Sequence, residues 1–183
     1  MIDKIETALT KIDGKYITNE KLNYEKIIQF ELYHQMRILK VDECELTPEY
    51  KKESHYFKEN PFSHDIGDYI PDLLMHKLDD KSNQLVAIEI KNLKKNNMAK
   101  IYKDIMKLMC YCHKSETSLN YKIGLLIVYG DCFITKLNKA RIYKHKIVDL
   151  FNYAYNPVEI WLLTNDKVIK KYKKEDIQQL ECT

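Results

Sequence analysis

The chain has 183 residues, 45% of them hydrophobic and 31% charged, with a formal net charge of +3. That is enough for one domain with a proper core, and the composition is ordinary for a globular protein. It excludes a membrane span, since no segment approaches the roughly 18 consecutive apolar residues required, and so small a net charge does not by itself mark a nucleic-acid binder.

Residues 1–22 carry scattered apolar positions and a turn at Asp13-Gly14, which allows a short helix or a hairpin. The opening Met1-Ile2-Asp3-Lys4-Ile5-Glu6 lacks the apolar centre of a signal peptide, so a cytoplasmic location is expected. From about Asn23 to Leu39, the residues Ile27, Ile28, Leu32, Met36 and Leu39 recur at helical spacing. Residues 42–68 are polar, aromatic and irregular, with Pro48, Pro61 and Gly67; they read mainly as a long loop with room for a short strand. Two strand-length apolar runs follow, Pro71-Asp72-Leu73-Leu74-Met75 and Leu85-Val86-Ala87-Ile88-Glu89-Ile90-Lys91. The polar break Asp79-Asp80-Lys81-Ser82-Asn83 between them predicts a β-hairpin.

Beyond the hairpin, Ile101, Ile105, Leu108, Met109 and Cys112 form the stripe of an amphipathic helix. Ile123 to Tyr129 reads as a buried strand ended by Gly130-Asp131. Residues 136–154 suggest another helix, and Val158–Leu163 with Lys167–Tyr172 a final hairpin, divided by Thr164-Asn165-Asp166. No repeat, low-complexity linker or second domain is visible. This order predicts an α/β fold, with helices covering a mixed central sheet. The right-handed crossover rule places the 123–129 strand beside the strand of Glu89.

The chemistry concentrates in the hairpin. Residues two apart in a strand share a face, so Glu89 and Lys91 project together while Ile90 projects oppositely. The apolar run around them implies a central strand buried on both faces, where an idle charged pair is disfavoured. Asp72, at the start of the neighbouring strand, supplies a second carboxylate. Asp72 and Glu89 are hard oxygen ligands suited to Mg²⁺ or Mn²⁺, and the backbone carbonyl of Ile90 is a further candidate ligand. Lys91 is placed to orient a metal-activated water or to stabilise the transition state. The plainer alternative makes Asp72 a turn cap and Glu89–Lys91 a surface pair.

The pattern Pro71-Asp72, then Glu89-Ile90-Lys91, resembles the PD-(D/E)XK nuclease superfamily with its restriction-endonuclease-like fold. The surrounding Pro71–Lys77, Asn83–Lys91, Asp104–Leu108 and Tyr121–Ile127 segments are similar to small stand-alone bacterial members. The resemblance covers about residues 23–129 and leaves about 130–183 as a C-terminal extension of one domain, 1–183. It implies a catalytic hairpin flanked by helices, metal at Asp72, Glu89 and Ile90, and a catalytic role for Lys91. Related nucleases also place a Glu from the first helix near the metal. Glu25 and Glu31 both fall on or beside the apolar arc of that helix, and either can fill this place.

Between Lys91 and Lys107 there are six lysines and one acid, Asp104, immediately after the candidate catalytic lysine. Lys94, Lys95, Lys100, Lys103 and Lys107 are therefore candidate phosphate contacts, although Asp104 and Lys107 also read as a helix-surface ion pair. His76 shares the face of Asp72 and reads as solvent-exposed or as a substrate contact. Cys110 and Cys112, lacking partners of paired spacing, read as buried thiols rather than cluster ligands. Tyr143, Phe151, Tyr153 and Tyr155 suit core or dimer packing, or base stacking.

The expected function is therefore a Mg²⁺- or Mn²⁺-dependent nuclease acting on phosphodiester bonds, in DNA more than in RNA. A homodimer is expected if it cuts both strands of a duplex. The alternative is the same fold with an idle site, binding nucleic acid or a protein partner.

Overall fold

A computed structural model describes residues 1–19, 21, 24–39, 44–49, 70–76, 84–114, 119–153, 158–167 and 169–180. Its elements in chain order are α1 (Ile2–Lys11), α2 (Lys15–Thr18), α3 (Glu25–Ile38), β1 (Glu45–Pro48), β2 (Leu73–His76), β3 (Gln84–Asn92) and α4 (Met98–Cys112). They continue with β4 (Ile123–Tyr129), α5 (Phe133–Lys139), α6 (Arg141–Tyr153), β5 (Val158–Leu163), β6 (Ile169–Tyr172) and α7 (Lys174–Gln179). The strands form one mixed sheet in the order β1-β2-β3-β4-β5-β6. β1, β2 and β3 pair antiparallel, β3, β4 and β5 pair parallel, and β6 returns antiparallel to β5.

Alternation along the strands divides the core into two layers. Leu73, Met75, Val86, Ile88, Ile90, Leu125, Ile127 and Trp161 pack against α1 and α3 through Ile5, Leu9, Ile28, Leu32 and Met36. Leu74, Ala87, Leu126, Val128, Ile160 and Leu162 pack against α4 and α6 through Ile101, Ile105, Leu108, Ile147 and Phe151. The same alternation sends Glu89 and Lys91, between Ala87 and Leu93, toward α4. Gly124 lets α4 approach β4 closely: a Cβ there would stand 3.1 Å from both Leu108 Cβ and Cys112 Sγ. Asn97 caps α4, its side chain accepting the Lys100 N–H at 3.1 Å.

The hairpin, the helix over the Ile101 stripe and the parallel strand at Ile123–Tyr129 occur where the sequence places them. Residues 136–154 do not form one helix. The chain breaks at Ala140, at φ −104° and ψ 61°. Leu137 and Ile147 lie ten residues apart, about 80° out of phase on a continuous helix, and the break brings both into the α4 layer. The described part of 1–22 holds two helices, α1 and α2, rather than a hairpin. The short strand allowed within 42–68 is β1; residues 50–68 and the break at 79–83 lie outside the described residues. Helix α7 had no apolar period to announce it and buries Ile177 alone. No described helix is long and apolar enough to cross a membrane.

Candidate active site

The carboxyl end of β3 gathers four carboxylates, Asp72, Glu89, Asp104 and Glu25, around two ammonium groups, Lys91 and Lys107. Asp72 immediately precedes β2, where Pro71-Asp72 leads into the strand. Its carbonyl accepts hydrogen bonds from Gln29 Nε2 at 2.6 Å and from the Glu49 N–H at 3.1 Å. Its carboxylate accepts the Ile90 N–H at 2.7 Å. A strand residue directs its N–H and C=O to the same edge, so the Ile90 carbonyl also faces Asp72.

Glu25 is the first residue of α3. Its Oε1 accepts the Asn92 N–H at 3.0 Å and the Asn96 side-chain amide. Its Oε2 stands 3.3 Å from Lys91 Nζ, and Asp104 Oδ2 stands 3.7 Å from the same ammonium. Lys107 Nζ pairs with Glu89 Oε1 at 2.7 Å and with Asp104 Oδ1 at 3.6 Å, and donates to the Ile70 carbonyl at 3.2 Å. Asp104 Oδ2 is buried and accepts no hydrogen bond.

Burial dominates the electrostatics. Glu89 is only 1% exposed. Desolvation pushes its carboxyl well above the usual range, and the charges of Asp72 and Asp104 add to this against the pull of Lys107. Asp72 and Asp104 are raised too, by burial first, with Lys91 and Lys107 opposing. Burial works against the charged form of Lys91, yet Asp104, Glu25, Asp72 and Glu89 together outweigh it and hold the ammonium firmly protonated. Lys107 behaves likewise, with Glu89 the main opponent of burial. With four carboxylates to two ammonium groups, and with Asp72, Glu89 and Asp104 raised by burial first, the site is short of positive charge.

That shortage is what a divalent cation corrects. Mg²⁺ typically takes one or two carboxylates and keeps several waters. Asp72 and Glu89, with the Ile90 carbonyl, fit that donor set. Among the described residues no group of three or more His, Cys, Asp or Glu side chains is arranged to hold a metal ion.

The sequence-derived candidates divide clearly. Asp72, Glu89, Lys91 and Glu25 come together. Glu31 does not: it is six residues beyond Glu25 on α3, and its Oε1 accepts from Gln35 Nε2 at 2.7 Å. Lys94, Lys95, Lys100 and Lys103 are exposed just beyond Lys91, with Lys95 Nζ 4.2 Å from the Tyr24 ring centroid. Lys107 is turned inward to Glu89, and the expected Asp104–Lys107 ion pair is present at 3.6 Å but is largely buried rather than on the helix surface. His76 is buried, not exposed, because β1 covers its strand; its Nε2 lies 3.3 Å from Thr47 Oγ1. Cys110 and Cys112 are buried thiols, pushed upward by desolvation, that of Cys110 to about 12. Phe151 is in the core; the Tyr153 side chain and Tyr155 lie outside the described residues.

Sequence reasoning missed Gln29, Asn92 and Asn96 as supports of Asp72 and Glu25. Asp104 carried a usable signal, lying three residues after Ile101 and four before Leu108, at the edge of the buried stripe. Comparison of the chain with protein-family models, with curated proteins and with solved structures gave no match.

Proposed function

We propose that this chain is a metal-dependent nuclease hydrolysing phosphodiester bonds, with DNA the expected substrate. The observation that carries the reading is the meeting of Asp72, Glu89 and Lys91 at the end of the hairpin, within a cluster whose four carboxylates exceed its two lysines. The order helix, antiparallel hairpin, crossover helix and parallel strand is compatible with a restriction-endonuclease-like core, and the resemblance of Pro71-Asp72 and Glu89-Ile90-Lys91 to PD-(D/E)XK nucleases supports the same reading.

In this mechanism Asp72 and Glu89, with the Ile90 carbonyl, would hold Mg²⁺ or Mn²⁺. The ion would supply a lowered pKa for water and charge neutralisation at a phosphoryl oxygen. Lys91 carries a fixed positive charge toward the pentacovalent transition state, in a partly buried site where such a charge acts strongly. Glu25 restrains the Lys91 ammonium, and Asn92 and Asn96 restrain Glu25. Lys107 and Asp104 fix Glu89 from the helix side.

One observation favours a second reading. Lys107 pairs with Glu89 Oε1 at 2.7 Å, so the cluster partly neutralises itself. An idle module that binds nucleic acid or a protein partner would retain that pairing. The two readings part in one experiment: plasmid and single-stranded DNA, and RNA, incubated with Mg²⁺ or Mn²⁺ beside Asp72→Ala and Lys91→Ala. The nuclease reading expects metal-dependent cleavage lost in both variants. No cleavage of any substrate, or equal cleavage by the variants, removes it.

A further inference from the structure

A cavity of about 270 Å³ opens at the carboxyl ends of β4 and β5, on the β6 side of the cluster. Its walls are Gly130, Asp131 and Cys132 after β4, Leu162, Leu163, Thr164 and Asn165 at the end of β5, and Lys170 from β6. Loops at the carboxyl ends of parallel strands are where open α/β sheets bind ligands. The cavity joins the carboxylate cluster through one residue. Asn92 pairs with Tyr129 across β3 and β4, and its backbone N–H holds Glu25. Its Oδ1 lies 2.9 Å from where a Gly130 Cβ would be. Gly130 has φ +89°, so a side chain there would be strained as well as obstructed. Neighbouring strands are about 4.8 Å apart, so a cavity centred on the end of β5 lies about 10 Å from β3 across the sheet, one to two nucleotides along a strand lying over Asp72 and Glu89.

The lining indicates what fits. Leu162 and Leu163 at the end of β5 supply its apolar lining, and Asp131, Thr164, Asn165 and Lys170 its polar lining. Asp131 Oδ1 already accepts the Cys132 N–H and the Thr164 hydroxyl donates to Asp166, so the Asn165 amide and the Lys170 ammonium are the groups left to meet a ligand's edge. A phosphate alone has no use for the leucines and is repelled by Asp131. A flat heteroaromatic ring with donors and acceptors on its edge uses both. At about 30 Å³ per water, the volume corresponds to roughly nine waters, which leaves ample room for one planar ring.

We propose that this cavity receives one unstacked nucleobase of the nucleic acid whose backbone lies across the Asp72–Glu89–Lys91 cluster. The substrate class is thereby narrowed to single-stranded or locally opened nucleic acid, since a base in a continuous duplex stack cannot enter. The inference rests on the nuclease reading for its neighbour site, but base binding is measurable without cleavage.

Cys132 supplies the probe. It is exposed at the cavity mouth, and hydrogen bonds from the Thr135 hydroxyl and amide hold its thiol below the ordinary range, favouring alkylation. The full chain, in chelator, is treated with iodoacetamide and the modified cysteines are located by peptide mass. The competitors are a short single-stranded oligodeoxynucleotide, an abasic strand of equal length and charge, the corresponding duplex, and inorganic phosphate. The base-bearing strand is expected to slow alkylation of Cys132 about tenfold at ten times its Kd, leaving Cys44 unchanged. The same protection is expected in Asp72→Ala and to be lost in Asn165→Trp, which fills the cavity from an exposed position. Equal protection by the abasic strand, by the duplex or by phosphate overturns the proposal, as does no protection at all. Protection without cleavage by the wild-type chain sinks the nuclease reading alone, and cleavage without protection sinks the base site alone.

Discussion

Lys91 and Glu25 are 66 residues apart in sequence, and their charged groups stand 3.3 Å apart. The pair joins the candidate catalytic strand to the first turn of α3, and Glu25 is itself held by the Asn92 N–H and the Asn96 amide. Glu25 is thus positioned to decide where the Lys91 ammonium points.

Glu25→Gln keeps an acceptor for the Asn92 N–H and removes the charge facing Lys91. It is expected to lower kcat/KM for DNA cleavage about 10–100-fold, the usual cost of losing a group that orients a metal-site residue. Lys91→Ala is expected to cost about 10²–10³-fold, and the double variant less than the product of the two. Glu31→Gln, outside the cluster, is expected to cleave at the wild-type rate. Activity in Glu25→Gln equal to wild type would reject the positioning role.

The pH dependence of stability follows from burial of Glu89. In the unfolded chain a glutamate ionises near pH 4.3; in the fold, desolvation, Asp72 and Asp104 raise it against Lys107. Between those two values the folded state binds more protons, so stability falls as pH rises. Asp72 and Asp104 shift the same way and add to the fall. Lys91 and Lys107 are raised, so their contribution is intact across this range and is lost only at alkaline pH, as the pH rises from the ordinary lysine value through their folded values. In chelator, a higher Tm is expected at about pH 5.5 than at about pH 8, with the slope flattened in Glu89→Gln. Mg²⁺ or Mn²⁺ is expected to raise Tm more at the higher pH, where the carboxylates are ionised. A Tm indifferent to metal at both pH values would favour the idle-site reading.

What the sequence disclosed was periodic or local. Strand alternation put Glu89 and Lys91 on one face, and the apolar stripe of Ile101 to Cys112 located α4. The partners of those charges come from far along the chain, and no period marks them. Glu25 and Glu31 are both plausible from the arc of α3; only the docking of its first turn on Asn92 and Asn96 separates them. Lys107 reads from the sequence as a phosphate contact or half of a helix-surface pair because spacing does not reveal that α4 presents it to Glu89. His76 misled for the same reason, since its burial depends on β1 covering β2.

Gln29 offers a test of positioning without chemistry. It is 1% exposed, and its Nε2 donates to the Asp72 carbonyl at 2.6 Å, while its Oε1 is buried without a hydrogen-bond partner. Gln29→Leu removes a hydrogen bond and an unsatisfied acceptor together, so stability is expected to change by only about 1 kcal/mol. Cleavage is expected to fall about tenfold or more, because the Pro71-Asp72 turn loses a tether. Chemical denaturation beside steady-state kinetics checks both; a variant that loses stability and keeps its rate contradicts this role.

The lysines beyond β3 make separable predictions through salt. Lys94, Lys95, Lys100 and Lys103 are exposed, whereas Lys107 is turned inward to Glu89. Each lysine that neutralises a phosphate of a single strand contributes about −0.7 to the slope of log K against log salt. Replacing all four exposed lysines with Ala is expected to weaken DNA binding and make that slope shallower by about 3, with Lys11→Ala on the far layer leaving it unchanged. Lys107→Ala is expected to leave the slope alone and instead destabilise the fold by about 3 kcal/mol near pH 8, since it strands a buried carboxylate. Fluorescence anisotropy over a salt series, in chelator to prevent cleavage, reads the slopes. A slope unmoved by the fourfold variant would mean that the strand crosses the cluster by another route.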